Sequence, residues 1–161
     1  MISETMCCAI CDQLNREFNN ANLYLTIAID CEQAGWFGAQ HYFMKQFEEE
    51  QGHAFKMIEY LQDQQMRPVI APLPVEQSEW PDFKSVFEAS LAREKRTTQE
   101  IKNILSIAQN EQDYASHEFF EWFIKEQVDE ERQFYDILRQ IALANGDTAA
   151  LFEIDEQLGE R

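Results

Sequence analysis

The chain has 161 residues, 30 Asp and Glu against 13 Lys and Arg, and a formal net charge of -17. That length suits one domain whose core is large enough to stand without disulfides, and a field of that sign repels nucleic-acid phosphates and anionic lipid surfaces. With 5 Gly and 4 Pro and with Glu, Gln, Ala, Leu and Ile dominating, the composition predicts an all-α fold and excludes a strand-rich one.

In chain order, a first helical pattern covers about residues 3–33 and is interrupted at Ala34-Gly35; a second runs over 36–65. All four prolines (Pro68, Pro72, Pro74, Pro81) then fall in or beside a connection at 66–80, with Pro81 suited to the first turn of a third helix over 81–109. The polar run Gln109–Asp113 separates this from a fourth helix over 113–144, Asn145-Gly146 stops it, and Asp147 caps a short fifth helix over 147–158. Short first and third connections make their helices antiparallel neighbours. The middle one, about 15 residues in extended proline-rich form, spans roughly 46 Å, the length of a 30-residue helix. The expected architecture is therefore a single four-helix bundle domain over 1–161, with one long crossover between the second and third helices.

Each long helix carries an apolar seam with alternating steps of three and four. The first reads Cys7, Ile10, Leu14, Glu17, Ala21, Tyr24, Ala28, Cys31, and the second Phe43, Phe47, Glu50, Ala54, Met57, Leu61. The third reads Phe83, Phe87, Ser90, Glu94, Thr97, Ile101, Ile104, Ala108, and the fourth Phe120, Phe123, Gln127, Glu130, Phe134, Ile137, Ile141. Every seam holds one glutamate near its midpoint, so an aligned bundle brings Glu17, Glu50, Glu94 and Glu130 into one layer. Unpaired buried carboxylates cost several kcal/mol each, and no Lys or Arg lies on the seams. Two divalent cations would neutralise the four. His53, three residues after Glu50, shares its helical face and adds the nitrogen expected of a transition-metal site.

With the long crossover and the short final helix, these motifs resemble the non-haem bacterial ferritins over essentially the whole chain. Di-iron bundles of this class commonly carry Glu-x-x-His on two helices; here the fourth helix has Glu126-Gln-Val-Asp129 followed by Glu130, the ferritin variant. Gln51 stands where a haem-ligating methionine sits in bacterioferritins, so no haem is expected. The resemblance implies one iron held by Glu17, His53 and bridging Glu50, and a second by Glu50, Glu94 and Glu130. It places Gln127 in the pocket lining and Tyr24 where it hydrogen-bonds the site or supplies an electron. It also implies a possible third iron position at Glu49, Glu126, Asp129 and Glu130, with Asp129 standing where the pattern has glutamate. The implied activity is a ferroxidase that oxidises Fe(II) with O2 or peroxide and stores ferric mineral inside a cage of 24 subunits. Glu118 and Glu121 are pore candidates, and the fifth helix is expected to pack against symmetry mates.

Two rival functions stand beside this one. A rubrerythrin-like di-iron oxidase would carry a second Glu-x-x-His and a C-terminal cysteine pair, which the chain lacks; a non-catalytic bundle would buffer Zn(II) or Mn(II). Cys8-Ala-Ile-Cys11 has metal-ligand spacing, but Cys31 lies about 30 Å farther along the same helix, so Cys7, Cys8, Cys11 and Cys31 are read as reduced, packed thiols. His41, His117 and Trp122 are read as structural or surface residues. No stretch approaches the roughly 20 apolar residues of a membrane span, and no secretory pattern opens the chain, so the expected location is the cytoplasm, with neither membrane nor nucleic acid as partner.

Overall fold

The structure, a computed structural model, describes residues 1–74 and 79–161. They form five helices: α1 (Glu4–Ala34), α2 (Phe37–Asp63), α3 (Phe83–Glu111), α4 (Tyr114–Ala144) and α5 (Thr148–Leu158). No strand occurs among the described residues.

Local chemistry starts and stops each element. Ser3 caps α1, its hydroxyl accepting from the Met6 amide at 3.0 Å, and Gly35 ends it in the left-handed region at φ 87°, where a side chain would be strained. Asp82 and Ser85 form a reciprocal capping box at the start of α3. Pro81 therefore lies outside that helix rather than in its first turn, because the Asp82 carboxylate takes the capping position. Asp113 caps α4 and Asp147 caps α5 through backbone amides at 3.0 and 2.9 Å.

The two-residue links Gly35–Trp36 and Gln112–Asp113 fold α2 back on α1 and α4 back on α3. The crossover runs over α1, where Asn15 holds it at both faces of its amide: Nδ2 donates to the Val69 carbonyl and Oδ1 accepts from the Ala71 amide, each at 2.8 Å. Residues 75–78 of the expected 66–80 crossover lie outside the described residues.

Two apolar clusters fill the bundle. One gathers Tyr24, Ile27, Phe43, Phe87, Phe134 and Ile141 from the C-terminal halves of α1 and α4 and the N-terminal halves of α2 and α3. The other gathers Met6, Ile10, Leu14, Met57, Leu61, Ile104, Phe120 and Phe123 from the opposite halves. Since α2 and α3 both run from the first cluster to the second, they are parallel. Between the clusters lies a buried polar layer of Glu17, Asn20, Glu50, His53, Glu94, Thr97, Gln127 and Glu130.

The fifth helix packs on its own chain. Ile154 and Leu158 are buried in the first cluster of their own chain, with Leu151 packed against it. The Asp155 carboxylate accepts from the Gly38 amide at 3.0 Å and the Ala39 amide at 2.7 Å. It thus caps α2, whose own N-cap residue Trp36 makes no side-chain bond. Gly38 is required for this docking, because a Cβ there would sit 1.6 Å from the Asp155 carbonyl oxygen.

Candidate metal centre

Each long helix turns its seam inward, so α1 delivers Glu17, α2 delivers Glu50 and His53, α3 delivers Glu94, and α4 delivers Gln127 and Glu130. The i, i+3 spacing on α2 leaves His53 Nδ1 3.6 Å from Glu50 Oε2. One ligand atom from each of Glu17, Glu50 and His53 lies within 4.8 Å of the others. Glu50 Oε2 is buried and makes no hydrogen bond among the described residues, an arrangement that costs free energy until a cation or proton occupies it. Two carboxylates and an imidazole, with one carboxylate oxygen unsatisfied, fit a divalent transition metal.

Glu94 and Glu130 complete the layer but point into hydrogen bonds. The Tyr24 hydroxyl donates to Glu94 Oε1, Gln127 Nε2 donates to Glu94 Oε2 at 3.0 Å, and Gln46 Nε2 donates to Glu130 Oε2 at 2.9 Å. On the other side, Gln13 Nε2 donates to Glu17 Oε1 at 2.8 Å, and Asn20 bridges Thr97 at 3.1 Å and Glu17 at 3.4 Å. Such partners orient ligating oxygens before a metal arrives.

Crowding raises the proton affinity of every carboxyl in the layer. Glu17 is held well above the ordinary range by burial and then by the charge of Glu50; Glu50 likewise by burial and then by Glu94. Burial also raises Glu94, with the Tyr24 and Gln127 bonds opposing. Glu130 is pushed up to about 7 by burial and the charge of Glu94, against the Gln46 bond. Raised proton affinity means that a divalent cation competes with protons for these oxygens. Burial and the neighbouring Glu94 also hold the Tyr24 phenol well above its usual value, hence neutral and donating.

The remaining sequence candidates are not gathered. Glu49 is exposed and paired with Arg161 at 2.8 Å, and Asp129 is exposed and paired with Arg132 at 2.9 Å. Glu126 is half-buried, and among the described residues no ligand cluster joins it to Glu49, Asp129 and Glu130. Of the pore candidates, Glu118 and Glu121 are both exposed, Glu121 lying 3.7 Å from His117 Nδ1. The four thiols are free; Cys11 and Cys31 are buried, Cys7 is half-buried, and Cys8 is exposed rather than packed.

Of the supporting amides, Gln13 and Asn20 carry a sequence signal, standing four residues before and three after Glu17, which they bond, whereas Gln46 reaches Glu130 across the bundle and carries none. Trp122 was read as structural or surface; its ring stands edge-on to His53 with centroids 5.7 Å apart, and Lys56 Nζ lies 4.3 Å from its centroid. Being off the seam, it carried no periodic signal.

Comparison with known proteins places the whole chain in one family. A profile of the ferritin-like domain matches residues 7–144. The chain is 32% identical over 159 residues to a probable bacterial non-heme ferritin-like protein of Haemophilus influenzae, covering 99% of this chain and 96% of that protein. It is 32% identical over 168 aligned positions to a bacterial non-heme ferritin of Staphylococcus aureus, covering 100% and 97%. A solved open-pore ferritin from the hyperthermophilic archaeon Archaeoglobus fulgidus superposes with a TM-score of 0.98 at 32% identity, over 100% of this chain and 99% of that one.

Proposed function

The chain belongs to the ferritin family, among its non-haem bacterial members, and from that premise we propose that it binds two Fe(II) ions as substrate in its buried polar layer and oxidises them. The observation that carries the proposal is the buried Glu50 Oε2, which makes no hydrogen bond among the described residues and sits with Glu17 and His53 in one ligand cluster. In this proposal Glu17 and His53 hold one iron, Glu94 and Glu130 hold the other, and Glu50 bridges them. Four carboxylates against two divalent ions leave the layer neutral, which removes the repulsion that otherwise keeps protons on it.

Oxidation takes one electron from each Fe(II), and the pair reduces O2 with two protons to H2O2, or reduces peroxide with two protons to two waters. Anionic oxygen donors favour the ferric product over the ferrous reactant. Tyr24 and Gln127 fix both oxygens of Glu94, so this ligand enters the reaction already oriented. Ferric product then leaves for a mineral core inside a shell of 24 subunits, the assembly that the ferritin resemblance implies. Cytoplasmic location accompanies this proposal; among the described residues no helix is long and apolar enough to cross a membrane.

Stopped-flow absorbance after mixing Fe(II) with the aerobic apoprotein tests the catalytic part. Glu17→Ala and His53→Ala are expected to slow the fast phase by at least about 100-fold, in line with removing a direct ligand rather than a supporting partner. Wild type that oxidises iron no faster than the variants would refute it, and Zn(II) or Mn(II) binding without iron oxidation would favour a buffering bundle. A species near 19 kDa on size exclusion would refute the shell.

A further inference from the structure

The first turns of α1 carry three of the four thiols, all of them free. Cys7, Cys8 and Cys11 fall within about 100° of one another around the helix axis. Cys11 lies about one turn from both of the others, where Cβ atoms stand about 5–6 Å apart. The three grade outward: Cys11 is buried, Cys7 half-buried and Cys8 exposed. Burial, and then the charge and hydrogen bonding of the Cys11 thiol, push the Cys7 thiol above its ordinary range, so these two sulfurs face each other. The segment is also held at both ends. Ser3 caps it, accepting from the Met6 amide and donating to Glu111 Oε2 at 2.7 Å, and Asn15 donates to the Cys11 carbonyl at 2.7 Å while pinning the crossover at Val69.

We propose that Cys7 and Cys11, joined by Cys8, form a second metal site that takes one soft monovalent ion of the Cu(I) class. The site is independent of the di-iron function proposed above. Among the described residues no third ligand atom is gathered with the facing pair. Structural Zn(II) asks for four ligands at once, whereas Cu(I) is satisfied by two thiolates or three, and soft sulfur selects it over harder ions. Cys8, exposed at the neighbouring position, meets an arriving ion first and supplies the third sulfur by turning about its χ1. Binding exchanges thiol protons for the ion. Glu17 opens the carboxylate layer about 9 Å beyond Cys11 along the same helix, so α1 presents soft donors at its start and hard donors at its middle.

The test titrates the assembled protein, reduced and free of oxygen, with Cu(I) in competition with a chromophoric Cu(I) chelator. Wild type is expected to retain one ion per subunit and to show a sulfur-to-copper charge-transfer band in the near ultraviolet. Cys7→Ser and Cys11→Ala are each expected to weaken retention by more than about 100-fold, beyond the range for an outer-shell partner, and Cys8→Ser by about tenfold. Cys31→Ser, about 30 Å away along the helix, should change nothing, and Cys7→Ser should oxidise Fe(II) at the wild-type rate. No ion retained by wild type, or wild-type retention in the double variant Cys7→Ser/Cys11→Ala, would overturn the proposal. Loss of Cu(I) in Glu17→Ala would overturn it too, by placing the copper in the carboxylate layer. Failure of wild type to oxidise iron would refute the di-iron function alone. Melting curves and shell size separate these outcomes from misfolding, and Cys7→Ser, at a half-buried position, carries the test if Cys11→Ala does not fold.

Discussion

At Glu130 the conflict between folding and function is open to measurement. Its carboxyl is 2% exposed and its pKa rises from the ordinary 4.5 to about 7. A carboxyl that binds its proton more tightly when folded contributes its stability fully below pH ~4.5, and that contribution is lost as pH rises through ~7. Glu130→Gln removes the ionisation and keeps an acceptor for Gln46. The metal-free variant should therefore melt above wild type at pH 8, by up to about 3 kcal/mol, and match it near pH 5. Thermal melts in chelator at both pH values check this, and a lower midpoint at pH 8 would contradict it. Tyr24→Phe probes the opposite side of the layer. Without the hydroxyl, Glu94 Oε1 loses its donor, and initial iron oxidation should slow about tenfold with no change in the number of ions bound. An unchanged rate would make Tyr24 a packing residue.

Among the elements, α5 is the one whose placement depends on a single close approach. Gly38→Ala puts a methyl group into the Asp155 backbone, and since that contact is main chain no rotamer relieves it. The helix should undock, with faster amide exchange over residues 148–158 and loss of the Asp155 cap on α2. Asp155→Ala removes the cap alone, for about 1 kcal/mol, and should leave α5 docked through Ile154 and Leu158. If Gly38→Ala exchanged no faster than wild type, the docking described here would be wrong.

For the whole molecule, the proposed function couples metal binding in the polar layer to stability. Two ions that bind only the folded chain raise its stability by about 2.7 kcal/mol per site at a hundredfold excess over the dissociation constant. The ions must displace protons from Glu17, Glu50, Glu94 and Glu130. The Co(II)-induced rise in melting temperature is therefore expected to be larger at pH 8 than at pH 5.5; an equal rise would mean the ions bind elsewhere. The apolar clusters on either side of the layer hold the four helices together while it is empty or protonated.

Legible in the residues alone were the helix order, the cap at Asp147, the antiparallel pairs, the long crossover and the seams with one glutamate each. These depend on local dihedral preference and on period, both written within a few residues of where they act. Only the packed helices show which donor each oxygen of Glu94 and Glu130 takes, Tyr24 and Gln127 for the one and Gln46 for the other. They also decide that α5 folds onto its own chain and that Arg161 reaches Glu49, a contact spanning 112 residues. Period places a side chain on a face, but which rotamer it takes, and which distant donor claims each oxygen, follows only once the helices are packed.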